Sequence, residues 1–231
     1  MTYVGRMRRL LALLVAAVVL VAAALLIDRL LRASAEDRVA DELAAAVEVD
    51  GAPDVTVEGF PFLTQLAAGE LDSVRARADA VATEGVRLLD VTAHARGVTV
   101  EEPATAGRLD LDGTLPDEEL QQLVDEEVDG VTVASAADGV HLSTEVLGLD
   151  LALVAAPEVA DGGISVRVTS VRLGGAELDT DDLAPLVGED LLELQLDVPD
   201  LPLGLQLVDV VPADGGLRLS LTGEDVVLAA P

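Results

Sequence analysis

The sequence predicts an α+β fold in which a long, curved antiparallel β-sheet packs on a few helices. Short segments of alternating polar and apolar residues recur from Val74 onward, and a period of two is typical of strands with one buried face. Turn signals rich in Gly and Asp separate these segments, and such short connections join antiparallel neighbours. Helical patterns are few, so the helices would cover only part of the apolar face of the sheet.

The N-terminal segment contains an unbroken apolar run of 18 residues, Leu10 to Ile27. As a helix this run is about 27 Å long, close to the roughly 30 Å hydrocarbon core of a bilayer. Arg6, Arg8 and Arg9 precede it, and the positive-inside tendency therefore assigns the N-terminus to the cytoplasm. The run predicts a single-pass transmembrane signal anchor in the plasma membrane, with the main domain outside the cytoplasm.

A cleaved secretory signal peptide is the alternative for this segment. Ala33-Ser34-Ala35 fits the small residues of a cleavage site. However, two arginines lie between the apolar run and that site, which favours the uncleaved anchor. The chain then divides into a basic cytoplasmic segment, an anchor, a juxtamembrane linker and an extracytoplasmic domain: residues 1–9, 10–27, 28–35 and 36–231.

Charge and composition exclude several classes of protein. There is no cysteine and no lysine, so disulfides, thiolate metal sites and lysine nucleophiles are absent. Five of the 14 arginines but only one of the 43 acids lie in the first 32 residues, which leaves nine arginines against 42 acids and a formal charge of −33 beyond them. Nucleic-acid binding depends on Lys and Arg side chains that neutralise phosphates, so this excess of acids argues against binding to nucleic acid and against electrostatic adsorption to an anionic membrane.

The first elements after the anchor are a helix, a strand and a second helix. A capping-box-like start at Ser34 and the breaker sequence Asp50-Gly51-Ala52-Pro53 predict a helix from Ser34 to Glu48. A strand from Val55 to Gly59 follows, and then a turn and a short helix that opens at Pro61.

The segment that forms this turn and helix, residues 59–66, is called the Phe loop below. It reads Gly-Phe-Pro-Phe-Leu-Thr-Gln-Leu and contains both phenylalanines of the chain; the only other aromatic residue is Tyr3. Large rings normally dominate a core, so two rings in one short loop indicate a special role. One interpretation is a hydrophobic anchor that fastens the short helix to the sheet. The other is a loop that touches the membrane or gates access of lipid.

The remaining chain is predicted as a series of strands with two further helices. The alternating segments are Val74–Ala80, Leu89–Ala95, Leu109–Leu111, Val140–Val146, Leu149–Ala155, Ile164–Val168, Leu192–Val198 and Leu217–Leu221. The turn signals are Asp138-Gly139, Asp161-Gly162-Gly163, Gly174-Gly175 and Asp214-Gly215-Gly216. One helix begins at the capping box Thr114-Leu115-Pro116-Asp117 and runs to about Glu127, and a shorter one lies near Asp181 to Val187.

The apolar face of such a sheet is larger than the helices can cover. It must close on itself as a barrel or half-barrel, or hold something apolar. Its lining consists of small aliphatic side chains, which suits flexible acyl chains better than a rigid planar ligand. A two-layer sandwich with a dry core would give the same pattern and stays open.

Two stretches of the chain resemble a known family, the actinobacterial LmeA-like family of cell-envelope phospholipid-binding proteins. The first is Pro53-x-Val55-x-Val57-x-Gly59-Phe60-Pro61-Phe62-Leu63-Thr64-Gln65-Leu66, followed by Gly69. The second is Leu201-Pro202-Leu203-Gly204-Leu205-Gln206-Leu207, then Asp214-Gly215-Gly216-Leu217 and Leu221-x-Gly223-x-Asp225-Val226. The resemblance covers most of residues 36–228.

The resemblance implies a fold and a function. The fold is similar to tubular lipid-binding domains, in which a curved sheet wraps a long helix. The function is phospholipid binding, with phosphatidylinositol-type lipids among the ligands, at the outer side of the plasma membrane and in support of envelope lipid and lipoglycan assembly. The family offers no catalytic motif and implies no cofactor.

Candidate lipid-binding residues fall into two groups. Phe60, Pro61, Phe62, Leu63 and Leu66 would form a lip or gate to the apolar face.

Arg75 and Arg77, two apart on the polar face of the next strand, form the second group, since they could grip a phosphate. Their alternative role is to neutralise neighbouring acids such as Asp72 and Asp79. Arg167 and Arg172 are weaker candidates of the same kind.

Metal and catalytic sites are not indicated. His94 and His141, the only histidines, lie on polar strand faces and belong to no cluster with the spacing of a zinc site. Asp179-Thr180-Asp181-Asp182 lacks the glycine and terminal glutamate of a calcium loop and is interpreted as a helix N-cap. No nucleophile elbow, phosphate loop or Ser-x-x-Lys motif is present.

The sequence therefore favours a membrane-anchored, non-enzymatic phospholipid-binding protein. The alternatives are a scaffold or partner of a membrane glycosyltransferase with a dry sandwich core, and a hydrolase that uses a pair of acids. Replacing Phe60 and Phe62 together by alanine is expected to weaken lipid capture and to leave the fold intact.

Overall fold

The computed structural model describes residues 2–46, 48–83, 86–127, 130–146, 148–160, 163–178, 193–196 and 201–228. Within these ranges the side chains of residues 2–17, 46, 83, 127, 146, 193–196 and 202 are not described. The architecture is α+β, with antiparallel strands and three α-helices among the described residues, as predicted.

The helices are α1 (Thr2–Ala46), α2 (Phe62–Ala68) and α3 (Asp117–Glu127). The strands are β1 (Glu48–Val49), β2 (Asp54–Glu58), β3 (Glu70–Thr83), β4 (Val86–Thr99), β5 (Thr105–Pro116), β6 (Thr132–Ala136), β7 (Gly139–Val146), β8 (Leu149–Ala160), β9 (Gly163–Leu173), β10 (Ala176–Leu178), β11 (Glu193–Leu196), β12 (Gln206–Ala213) and β13 (Gly216–Val227).

The strands form two antiparallel sheets, which corrects the prediction of one long sheet. Sheet A has the order β1-β3-β4-β5-β13-β12, with β2 also paired to β3, and sheet B has the order β10-β9-β8-β7-β6, with β11 also paired to β9. Each has separate end strands, so the described strands close neither sheet into a barrel or half-barrel. The division arises because β13 returns to pair with β5, from Gly216 opposite Pro116 to Val227 opposite Thr105, and so β6 starts a new sheet.

Helix α1 is continuous, whereas the sequence predicted a new helix at Ser34. The segment 28–35, expected as a juxtamembrane linker, is helical. Ser34 does not cap a helix; its hydroxyl donates to the carbonyl of Leu30, 3.0 Å away, within the same helix. The helix packs along β2 and α2 at one margin of sheet A, and is not wrapped by a sheet as the family resemblance implied.

The membrane anchor was predicted at residues 10–27, and the side chains of residues 10–17 lie outside those described. Among the residues that are described, no helix offers a stretch that is both long and apolar enough to cross a bilayer.

The helix predicted from Thr114 begins at Asp117, because residues 114–116 belong to β5. The carboxylate of Asp117 accepts hydrogen bonds from the backbone N–H of Ser135 at 2.9 and 3.0 Å. These hydrogen bonds therefore connect the start of α3, which follows β5 of sheet A, to β6 of sheet B. The helix predicted near 181–187 lies outside the described residues, as does part of the strand predicted at 192–198.

Two hydrophobic clusters hold the domain together. The first joins α2 to sheet A and contains Val57, Phe62, Leu71, Ala95, Val98, Ala106, Leu109, Leu205 and Val226. The second joins sheet A to sheet B beneath α3 and contains Leu115, Val133, Val140, Val210 and Leu217. The apolar faces of the two sheets therefore meet at the second cluster.

Candidate functional site

Three polar side chains of α1 bind the backbone around the Phe loop. Asp28 Oδ1 accepts a hydrogen bond from the N–H of Leu63 at 2.8 Å, and Glu36 Oε1 accepts one from the N–H of Val57 at 2.8 Å. Between them, Arg32 donates to the carbonyl of Gly59. Asp28, Arg32 and Glu36 are called the docking residues below; they lie four apart and so share one helix face.

The docking residues supply hydrogen-bond partners that the residues around the Phe loop do not supply themselves. The N-cap of α2 is Pro61, whose side chain makes no capping hydrogen bond, and the first N–H groups of a helix lack intrahelical partners. Asp28, only 4% exposed, supplies that acceptor from a different helix. Glu36 likewise binds an N–H of β2, whose sheet partner is β3.

The two phenylalanines of the Phe loop have opposite environments. Phe62 is 2% exposed and belongs to the first hydrophobic cluster, whereas Phe60 is 66% exposed. The interpretation of the loop as an anchor therefore applies to Phe62, and only Phe60 is available to a ligand or a membrane. Of the other candidates in the loop, Pro61 and Leu66 are exposed and Leu63 is half-buried.

Phe60 forms one wall of an open cleft of about 630 Å³ against α1. This α1 cleft is lined by Ala22, Leu25, Leu26, Asp28, Arg29, Arg32 and Phe60. Its lining combines an exposed ring and exposed leucines with two guanidinium groups and one buried carboxylate. It has the mixed character of a site for an amphiphile.

A second candidate surface is a row of aliphatic side chains across sheet A. The strand registers align one residue from each of six strands on the apolar face: Val55, Ala76, Ala93, Leu111, Leu221 and Leu207. Val55 is buried, and the other five are half-buried. We call these six residues the aliphatic row. The neighbouring row, which includes Val57, Ala95 and Leu109, is buried in the first cluster.

Arg75 and Arg77 lie on the opposite, polar face of sheet A. Arg75 forms an ion pair with Glu58 at 2.6 Å. It therefore neutralises an acid, which is the alternative role considered from the sequence, but the acid is not one of those named there. Arg77 is exposed and borders a shallow hollow together with Asp54, Asp79 and Asp90. The structure therefore does not bring these two arginines to the aliphatic row.

The polar face continues as a network centred on Asp110. Arg108 lies 2.9 Å and Arg96 3.3 Å from its carboxylate, and the Thr222 hydroxyl donates to it at 2.8 Å. Partial burial opposes ionisation, but the hydrogen bonds from Thr222 and Arg108 and the charges of Arg108 and Arg96 hold the pKa of Asp110 below its ordinary value of 3.8. The network joins three strands across the polar face.

The two histidines belong to such surface contacts. His94 Nε2 lies 2.6 Å from the hydroxyl of Ser73, and the residue is half-buried. His141 bonds Asp138 at 2.8 Å, and this hydrogen bond lowers the pKa of Asp138. Among the described residues, no group of three or more potential ligands could hold a metal ion.

The weaker arginine candidates lie on sheet B. Arg167 and Arg172 are both exposed on β9, away from the Phe loop in the chain and in a different sheet. The acidic segment 179–182, considered for calcium, lies outside the described residues.

Sequence reasoning missed Asp28, Arg29 and Arg32 as site residues, because the two arginines were used only in the charge count and as an argument against cleavage, and Asp28 only in the charge count. One signal could have found them. Asp28 is the only acid in the first 32 residues, and an isolated acid at the end of an apolar helix indicates a specific partner.

Comparison with known proteins gives one match. A family model described as LmeA-like phospholipid-binding matches residues 26–222. The matched range begins on α1 beside the α1 cleft and includes the docking residues, the Phe loop and the whole aliphatic row. No curated protein and no solved structure matches the chain.

Proposed function

Because the chain belongs to the LmeA-like phospholipid-binding family, we propose that it holds the acyl chains of a phospholipid along the aliphatic row of sheet A. The observation that carries this proposal is that five consecutive side chains in the row are only partly buried, including three that pack against the first cluster on one side. A monomeric domain normally covers such an apolar strip, and burying it releases about 25 cal/mol per Å².

The dimensions of the row suit a lipid. Five inter-strand steps of about 4.8 Å give it a length of roughly 24 Å. One leaflet contributes about half of the roughly 30 Å hydrocarbon core, so the row is long enough for an extended acyl chain. Alanine and leucine side chains present a smooth surface without polar atoms, so contact with an acyl chain leaves no hydrogen-bonding group unsatisfied.

We also propose that α1 anchors this domain to the plasma membrane through residues 10–27, with residues 36–231 outside the cytoplasm. The support is the apolar run itself and its flanking arginines, together with exposed apolar side chains along the part of the run that is described, such as Leu20 at 70%. Protease treatment of intact spheroplasts should digest the main domain and leave the N-terminal segment protected. Complete protection of the main domain would reverse the orientation.

The proposed role is binding without catalysis, in support of envelope lipid and lipoglycan assembly. Incubation of the purified chain with a bound phospholipid should return the lipid chemically unchanged. A lysolipid, a free fatty acid or a released head group, lost on substitution of one carboxylate, would instead identify a hydrolase.

The direct test of lipid binding is native mass spectrometry of the full chain purified in a non-ionic detergent, followed by solvent extraction. The expected result is a stoichiometric phospholipid adduct. Replacing Leu111 and Leu221 by threonine keeps strand-forming residues but makes the row polar, and it should reduce the adduct severalfold. Asp112→Thr, on the opposite face of the same strand, is the matched control and should retain it.

Two outcomes would overturn the proposal. If the wild-type chain carries no lipid and takes none from added vesicles, the aliphatic row binds a different partner. Co-purification of such a lipid-free chain with a membrane glycosyltransferase would favour the scaffold function.

A further inference from the structure

The α1 cleft is electrostatically unlike the rest of the chain. Its lining contains Arg29 and Arg32 against the single acid Asp28, whereas the chain beyond residue 32 carries nine arginines and 42 acids. An anionic molecule is therefore repelled by the main domain and attracted to this cleft. The carboxylate of Asp28 is already engaged by the N–H of Leu63.

Arg32 lines the cleft and has one donor without a partner among the described residues. One terminal nitrogen of its guanidinium binds the carbonyl of Gly59, which fixes the orientation of the group. Its Nε is buried and has no hydrogen-bond partner among the described residues. Leaving a buried N–H unpaired is unfavourable, so an acceptor oxygen bound to Nε would remove this cost.

We propose that the α1 cleft binds the phosphodiester of an anionic glycerophospholipid. Arg29 and the Nε of Arg32 bind phosphate oxygens, since guanidinium groups form strong, directional bonds to phosphate. Phe60, Leu25 and Leu26 contact the glycerol and the first methylene groups. This inference rests on the proposed function, and it adds the place of the head group and the residues that bind it.

The apolar walls identify a lipid rather than free phosphate as the occupant. The ring of Phe60 is 66% exposed, and Leu25 and Leu26 are 44% and 60% exposed. Inorganic phosphate would leave these surfaces in water, whereas the glycerol ester region of a lipid covers them. Each methylene group buried against these surfaces raises the affinity roughly fourfold, so the lipid is the tighter ligand.

The test compares two lipid head groups on the full chain in a non-ionic detergent. Short-chain phosphatidylglycerol and phosphatidylcholine are titrated separately, and adducts are counted by native mass spectrometry. The wild-type chain should bind phosphatidylglycerol more tightly. Arg29→Gln should lower that affinity roughly tenfold, the magnitude of one charge-assisted hydrogen bond. It should lower the affinity for phosphatidylcholine less, because the choline cation of that lipid is repelled by Arg29 in the wild-type chain.

Arg32→Lys is the second variant, because it keeps the positive charge but removes the Nε donor. Because both lipids carry the phosphodiester, it should lower the affinity for both severalfold and keep the preference. Arg38→Gln is the matched control: Arg38 is exposed on the same helix and outside the cleft, so its loss changes the net charge equally and should keep the preference. Circular dichroism of each variant should match wild type.

The outcomes separate this inference from the proposed function. If Arg29→Gln keeps the full preference and Arg32→Lys keeps the full affinity, or if Arg38→Gln reduces the preference as much as Arg29→Gln, the cleft is not the head-group site although the chain binds lipid. Displacement of the lipid by inorganic phosphate at equal concentration would also overturn the inference. A wild-type chain that binds neither lipid would reject both proposals.

Discussion

Asp28 Oδ1 lies 2.8 Å from the backbone nitrogen of Leu63, so a side chain of α1 caps a helix that begins 34 residues later. Most N-caps come from the residue that starts the helix. In this chain that position is Pro61, which has no side-chain donor or acceptor. The start of α2, and with it the position of the Phe loop, therefore depends on contact with α1.

Removal of this cap should loosen α2. Asp28→Ala leaves the buried N–H of Leu63 without an acceptor, which should lower the free energy of unfolding by about 1–3 kcal/mol. Asp28→Asn keeps an acceptor oxygen and should cost less. Hydrogen exchange of the Leu63 amide measures the effect directly, with exposed Asp37→Ala on the same helix as control. Unchanged exchange in Asp28→Ala would show that α2 does not depend on α1.

The two phenylalanines should have different roles: Phe62 should stabilise the fold, and Phe60 should contribute to lipid binding. Phe62→Ala removes a ring that is 2% exposed and should lower the free energy of unfolding by about 3–5 kcal/mol. Phe60→Ala, at an exposed position, should change it by less than about 0.5 kcal/mol but should reduce lipid capture. Thermal unfolding and lipid uptake are measured on both single variants.

The double variant expected from the sequence to leave the fold intact is therefore unsuitable, since it combines both effects. Wild-type lipid uptake by the Phe60→Ala chain would remove Phe60 from the binding site.

Gly59 should be intolerant of substitution. Its φ of +93° disfavours other residues, and a Cβ would collide with the side chains of Gln65 and Asp72. Gly59→Ala should therefore destabilise the chain by more than the roughly 1–2 kcal/mol of left-handed backbone strain alone. Gly51→Ala is the control, because Gly51 has a φ of +81° but open space around its Cβ position. Equal losses of thermal stability would mean that the Phe loop adjusts to the extra methyl group.

Acid should weaken the polar face of sheet A through Asp110. Its folded pKa lies below 3.8, so its network stabilises the fold above that value, and this contribution is lost as the pH falls through the folded pKa. The free energy of unfolding of Asp110→Asn should therefore decrease less steeply below about pH 4 than that of the wild-type chain. Urea unfolding at several pH values measures this, with Asp112→Asn, on the same strand and face, as control. If the free energy of unfolding of Asp110→Asn falls with pH as steeply as that of the wild-type chain, the network does not cause the acid sensitivity.

The strands and hairpins could be predicted because their signals are local. Alternation identifies the buried face of each strand, and Gly-rich turns fix which strands are neighbours, as for β8 and β9, which are separated by the predicted turn signal Asp161-Gly162-Gly163. The pairing of β13 with β5 has no local signal, since it joins residues about 100 apart in sequence. The sequence therefore predicted most of the long strands but missed β6 and β12, and it predicted one sheet instead of two.

The candidate site was predicted only in part for a similar reason. The Phe loop stands out by composition, and its strand and helix were placed correctly. That Phe62 turns inward and Phe60 outward depends on how α2 packs, and this in turn depends on Asp28, 35 residues from the N–H it binds. Side-chain contacts over such separations leave no periodic pattern in a sequence.

The unbroken course of α1 has a consequence for how the molecule moves. Successive helical residues are related by a rotation of about 100° and a rise of 1.5 Å, and Asp28, Arg32 and Glu36 fasten the domain to one side of that helix. The main domain and the apolar half of α1 therefore turn as one body about the helix axis. The direction in which Phe60 faces is therefore set by the rotation of α1 about its own axis. A single residue inserted within residues 18–27 would rotate Phe60 by about 100° relative to the part of the helix before the insertion.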